Sequence, residues 1–307
     1  MAGIINTGSA PRLLEKTIHK AFVDTLQEHS PEYSQIFNVL SSNHNFERDV
    51  QLDGFGYATE KAQGGSIDYD SAGQGFVPTY THTEYAKGFV ITEIMQEDNQ
   101  YDLMGKMTRA LAESVRKTRE QVCANVLNRA SNDSYTMTGG DGVGLLSTAH
   151  ILGPNNSSTY SNELATPANL SEAALEDIFI QIDQAVDARN LPAAIKPTKL
   201  VVPPALRFEA ERILKSSLQP GTANNDVNAI VSNNALPGGY MVNHYLTSNT
   251  AWFVLTDCNE GLQFFNRRDI RLNKDMDFNT SNMRFKADMR FSAGWTNPRG
   301  VYGSVGV

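Results

Sequence analysis

An elongated α+β fold follows from three features of this 307-residue chain. From Tyr101 to Ala130 apolar residues recur at helical spacing, over a stretch that would run about 45 Å at 1.5 Å per residue. From Met283 to Trp295 they alternate without a break, which gives a strand of about 43 Å where most strands have five or six residues. Between 46 and 92 helical periodicity is absent, and glycines at 54, 56, 64, 65, 73, 75 and 88 punctuate β-favouring residues. The long helix and the long strand match in length and each has one apolar side. Laying the helix along a narrow sheet buries both and leaves a thin body that depends on neighbours for further burial.

At the N-terminal end, Pro11 opens a stretch in which Leu14, Ile18, Phe22 and Leu26 recur every four residues, an amphipathic helix. Ser30-Pro31-Glu32 reads as the start of a second short helix carrying Ile36, Phe37 and Leu40. Residues 46–92 read as a two-limbed hairpin with a glycine-rich tip, whose return limb runs from Phe76 to Tyr85 and resumes at Phe89-Val90-Ile91-Thr92. An isolated hairpin is marginal in water, so this one needs a partner surface.

On the long helix, Met104, Met107, Leu111, Val115, Val122 and Val126 form the apolar stripe, and Lys106, Arg109, Glu113, Arg116, Lys117 and Glu120 fall opposite it. Arg119 and Arg129 border the stripe, where either a narrower stripe or a polar partner is expected. Residues 131–168 are glycine- and serine-rich and signal no new element. Ser171 caps a helix with the apolar face Leu175, Ile178, Phe179, Ile182 and Val186. Lys199 to Val202 is a short strand stopped by Pro203-Pro204, a helix follows to Ser216, and residues 217–238 read as a long loop. This order marks a mixed α/β region.

Composition narrows the function. The longest apolar run is five residues, Ala251 to Leu255, too short to span a membrane. Met1 to Asn6 lacks the pattern of a secretory signal, and two cysteines, Cys123 and Cys258, point to a reducing compartment. The net charge of −8 lies entirely within residues 1–99. Residues 46–92 hold seven acids and three bases, the long helix three acids and six bases, and residues 266–307 four acids and eight bases. An acidic hairpin and a basic body on one chain are complementary between copies, which predicts a repeating head-to-tail association. The residues assigned to it are Glu47, Asp53, Glu60, Lys61, Asp68 and Asp70 on the hairpin and Arg109, Arg116, Lys286 and Arg290 on the body. The alternative is that these are solvated faces whose imbalance is accidental.

In its order of parts the chain resembles the tailed-bacteriophage major capsid proteins. The residues that carry the resemblance are Gly88 to Thr92 leading through Glu97-Asp98 into the long helix, Gly144 to His150 after it, Leu200 to Pro204 before a helix, and Arg290 to Trp295 near the end. The resemblance implies an N-terminal arm at 1–45, an E-loop hairpin at 46–92, a P-domain with its spine helix at 93–134, an A-domain at 135–262 and returning P-domain strands at 263–307. It implies self-assembly as pentamers and hexamers into an icosahedral shell around phage DNA. It also implies a separate scaffolding protein, since about 45 residues before the hairpin are too few for a fused one, together with a portal and a decoration protein. Some family members crosslink through lysine and asparagine. Lys61 and Lys87 lie in the hairpin, but no residue pattern here establishes that chemistry. An encapsulin-like cargo compartment is the alternative within the fold.

Signals for chemistry are weak. Gly139 to Gly144 lacks the Gly-Lys-Ser/Thr and following helix of a phosphate loop. Asp141, Ser147 and His150 would serve a hydrolase using the 139–150 loop, yet no strained strand-to-helix turn presents the serine. No histidine or cysteine spacing suits a metal, and no cofactor is expected. Glu93, Glu97 and Asp98 read as caps of the long helix. Arg267 to Lys274 reads as an edge or interface strand, leaving open only weak, non-specific contact with packaged double-stranded DNA.

Overall fold

The computed structural model describes residues 11–92, 94–95, 101–218 and 227–307. Glu93, Glu97 and Asp98, and positions 219–226 of the long loop, lie outside them. The helix predicted at the N-terminal end is α1, Pro11–Gln27, opened by its proline. The second short helix does not form. Tyr33–Gln35 makes one 3₁₀ turn, and Asn38–Ser41 is strand β1. Three turns of isolated helix are marginal, whereas the edge of a long sheet supplies ready hydrogen-bond partners.

That sheet has the order β1, β10, β11, β4, where β10 is Leu262–Met276, β11 is Met283–Trp295 and β4 is Thr83–Ile91. β10 and β11 run antiparallel from Leu262 opposite Trp295 to Met276 opposite Met283. Helix α2, Tyr101–Asn128, lies along one face. Leu111, Ala112, Val115, Val126 and Leu127 share one core with Ala287, Met289, Phe291 and Trp295. Twenty-eight helical residues span about 42 Å, close to the reach of the 13-residue β11. Each fully buried large side chain in this seam contributes about 1.5–3 kcal/mol.

The return limb of the hairpin is shorter than its sequence suggests. β2, Phe46–Arg48, pairs with β3, Thr79–Thr81, and the ladder continues through backbone bonds to Asp53 and Gly73. Thr83–Ile91 is extended as expected, but its partner is β11, with Phe89 opposite Phe285. Gly88 makes that pairing close: a Cβ there would stand 2.4 Å from the Phe285 carbonyl oxygen. The glycine- and serine-rich stretch after α2 contains a small hairpin, β5 at His150–Gly153 and β6 at Asn156–Tyr160.

A second core lies beyond it. Helix α3, Glu172–Asp183, is capped by Ser171, whose hydroxyl accepts the Ala174 N–H at 3.2 Å. Its Leu175, Ile178 and Ile182 pack with Leu200 and Val202 of β7 (Pro197–Val202) and Trp252 and Val254 of β9 (Trp252–Thr256). The four-stranded sheet has the order β12, β9, β7, β8, with β8 at Tyr240–Val242 and β12 at Val301–Ser304. Helices α4, Arg207–Lys215, and α5, Ala229–Ser232, contribute Ile213 and Ile230 to this core.

Candidate assembly surfaces

The hairpin is the most exposed part of the described chain. Residues 57–72 are all solvent-exposed, and they include Tyr57 at 75% and Tyr69 at 85%. Phe55 and Ile67 are also exposed. The subunit itself leaves this apolar surface uncovered. Of the six hairpin residues expected at an interface, Glu60, Lys61 and Asp68 lie free on this tip. The other three are engaged within the subunit. Glu47 accepts the Ser42 hydroxyl at 2.6 Å, and Asp53 accepts the Asn155 side-chain amide at 3.3 Å. Asp70 accepts the backbone N–H groups of Gly56 and Ser71 and the Arg189 guanidinium at 2.8 Å.

The body is not one basic surface. Residues 285, 287, 289 and 291 of β11 face α2, so Arg284, Lys286, Asp288 and Arg290 face the other side of the sheet. Arg109 is exposed on α2, whereas Arg116 is half-buried, one turn from the buried Ala112 and Glu120. The sheet therefore separates the two predicted groups of bases, because α2 covers one of its faces and Lys286 and Arg290 stand on the other. The sheet side is also largely neutralised from within. Asp288, 1% exposed, is paired with Arg268 at 2.8 Å and Arg271 at 2.9 Å and accepts Asn273 at 2.8 Å. Arg290 donates to Asn45 at 2.9 Å, while Lys286 is exposed.

Several residues that sequence reasoning missed join the parts. Glu120, placed on the polar side by periodicity, is 3% exposed, and its carboxylate accepts the backbone N–H groups of Glu32 and Tyr33 at 3.0 Å each. Desolvation raises its pKa above the ordinary carboxylate range. Glu32 in turn accepts the backbone and side-chain N–H groups of His244. Arg119 lies 5.0 Å above the Tyr33 ring and pairs with Asp269 at 2.9 Å, and Arg129 lies 5.2 Å above Tyr135; these are the polar partners expected beside the stripe. At the hairpin base, buried His82 bridges the hydroxyls of Ser42 and Ser292 at 2.9 Å each. No sequence signal marks the partners of His82, which lie 40 and 210 positions away.

The chemical candidates resolve into folding contacts. Asp141 pairs with His150 at 2.5 Å, but His150 is wholly buried and its other ring nitrogen faces the Leu145 carbonyl oxygen at 3.3 Å. Ser147 instead accepts the Ala149 N–H in a turn. Gly139 serves the hairpin base: its oxygen accepts the Val77 N–H, and a Cβ on it would stand 2.2 Å from the Val77 oxygen. Burial pushes the Cys258 thiol up to about 11 and the Cys123 thiol higher still, away from nucleophilic use. Among the described residues no cluster suits a metal ion, and no helix is long and apolar enough to cross a membrane.

Residues 77–304 match a family model described as phage capsid protein. No curated protein matches the chain. Among solved structures, the capsid of Myoviridae phage XM1 is similar at 12% identity with a TM-score of 0.54, each chain being covered completely. The capsid of a native GTA particle is similar at 12% identity with a TM-score of 0.57, over 99% of this chain and 91% of that one. A virus-like particle from Pyrococcus furiosus is similar at 14% identity with a TM-score of 0.51, over 94% of this chain and 98% of that one. At these identities the likeness is one of fold.

Proposed function

The chain belongs to the phage capsid protein family, a family of structural shell proteins, and from that premise we propose that it closes an icosahedral phage head by laying its hairpin on neighbouring copies. The observation that carries this reading is the exposed tip, where Tyr57 and Tyr69 stand largely uncovered beside Glu60 and Asp68. An apolar, acidic projection gains burial only on another molecule, and Arg109 and Arg116 on α2 offer the opposite charge. Lys286, on the far side of the sheet, suits a different contact. Glu47, Asp53, Asp70 and Arg290 shape the subunit that makes these contacts.

On this reading the chain forms pentamers and hexamers, and the unit carrying α3 to β9 meets its equivalents at the capsomer centre. It works with a separate scaffolding protein, a portal and a decoration protein, becomes part of the virion, touches packaged DNA only weakly and catalyses nothing. Negative-stain microscopy of the purified chain tests it: closed or partial polyhedral shells are expected, and a stable monomer overturns it. Double-stranded DNA inside shells from infected cells would separate a phage head from a cargo compartment.

A further inference from the structure

The tip of the hairpin is tied to the rest of its subunit by one arginine. The paired ladder ends at the bond from the Asp53 N–H to the Gly73 oxygen. Beyond it, Arg189 donates through Nη1 to Asp70 at 2.8 Å and through Nη2 to the Ser71 carbonyl oxygen at 2.5 Å. Both sides of this contact are prepared. Asp70 is aimed by the backbone N–H groups of Gly56 and Ser71, which hold its carboxyl below the usual range. Arg189 stands on a tight turn in which the Asp187 carboxylate accepts the N–H groups of Arg189 and Leu191. That turn is braced from behind: Arg299 donates to the Val186 oxygen at 2.8 Å, and Asn156 donates to the Ala188 oxygen at 3.0 Å.

The contact is polar and half-exposed, with the Arg189 and Asp70 side chains at 27% and 41%. It buries none of the exposed tip residues Phe55, Tyr57, Ile67 and Tyr69. Exposed ion pairs contribute little to stability, and burial of one large apolar side chain contributes more. A neighbour that covers the tip therefore gains more than this contact contributes.

We propose that Arg189 is a latch: it holds the hairpin against its own subunit before assembly, and shell closure exchanges that contact for an intersubunit one. The proposal rests on the reading of the hairpin as an intersubunit arm. Its test uses the full-length chain with Arg189→Ala, Asp70→Asn and both together. In the unassembled subunit, cleavage at Tyr57 and Tyr69 by a protease that cuts after aromatic residues should quicken about twofold to fivefold in each single variant. The double variant should be no faster than the faster single one, because both changes open the same contact. Arg189→Ala should also form shells at a lower subunit concentration. Unchanged cleavage in the single variants, or rates that multiply in the double one, overturns the latch. An equal or raised threshold for assembly overturns the exchange. A chain lacking residues 57–69 that still closes shells overturns the intersubunit reading and with it the exchange, while the cleavage result still decides by itself whether Arg189 holds the hairpin.

Discussion

The carboxylate of Glu120, buried in the middle of the long helix α2, lies 3.0 Å from the backbone nitrogen of Tyr33 and caps the turn that leads into the long sheet. Helix, N-terminal segment and sheet edge are thus joined through one side chain, and Glu32 extends the junction to His244.

Replacing Glu120 with Ala leaves the N–H groups of Glu32 and Tyr33 unpaired and should cost about 1–3 kcal/mol in denaturant unfolding of the unassembled subunit. Because burial raises the pKa of Glu120 above its unfolded value, its contribution is full below the ordinary carboxylate range and is lost as pH rises through the raised value. Glu120→Gln should flatten stability across that window. A slope equal to that of the parent chain would contradict this assignment.

The hairpin base should respond to acid through His82. Its pKa is lowered by desolvation first and then by Arg290, with Arg267 acting in the same direction and Glu47 against them. Stability is therefore present above the ordinary imidazole range and is lost as pH falls below it toward the lowered value. Thermal unfolding between pH 7.5 and 5 should show a fall that His82→Gln reduces.

Gly88→Ala should separate β4 from β11, since the new Cβ would stand 2.4 Å from the Phe285 carbonyl oxygen. A loss of about 1–3 kcal/mol is expected, the usual cost of overpacking. Amide exchange should quicken along Thr83–Ile91 before it does in α2.

Charge reversal should separate assembly from folding. Arg109→Glu, at an exposed position, should lower shell yield while shifting the thermal midpoint little, and an unaltered yield would argue against α2 as the surface that receives the hairpin; adding Arg116→Glu sets a second acid four residues before Glu120 and should also cost stability. Arg290→Glu breaks the contact with Asn45 at 2.9 Å and sets a like charge opposite Glu84, so its subunit should be less stable before any assembly is measured.

Removing residues 57–69, which are uniformly exposed, should leave a folded, soluble subunit that forms no closed shells. Size-exclusion chromatography checks the first outcome and electron microscopy the second.

The elements legible in the sequence are those whose periodicity runs unbroken. α2, β11 and the Ser171-capped α3 are of this kind. β10 was legible only as a basic strand from Arg267 to Lys274, because its register shifts between Asn266 and Arg271 break the alternation. β1 carries no pattern of its own, since all four of its residues are exposed. At the candidate assembly surfaces, composition identified an acidic hairpin and basic elements, and could not tell which of those charges the subunit uses for itself.

By itself the sequence determined that a long helix and a long strand must share an apolar seam and that a glycine-rich acidic projection stands outside it. Spacing along the chain encodes the period of an element and which of its sides is apolar, so that much needs no partner to be read. Tertiary structure alone decided that the sheet separates α2 from the basic side chains of β11, that Asp288 and Glu120 are buried, and that Asp70 is held by Arg189. Those outcomes depend on which residues distant in sequence arrive at 3 Å, where hydrogen bonding and desolvation, rather than periodicity, set the energy.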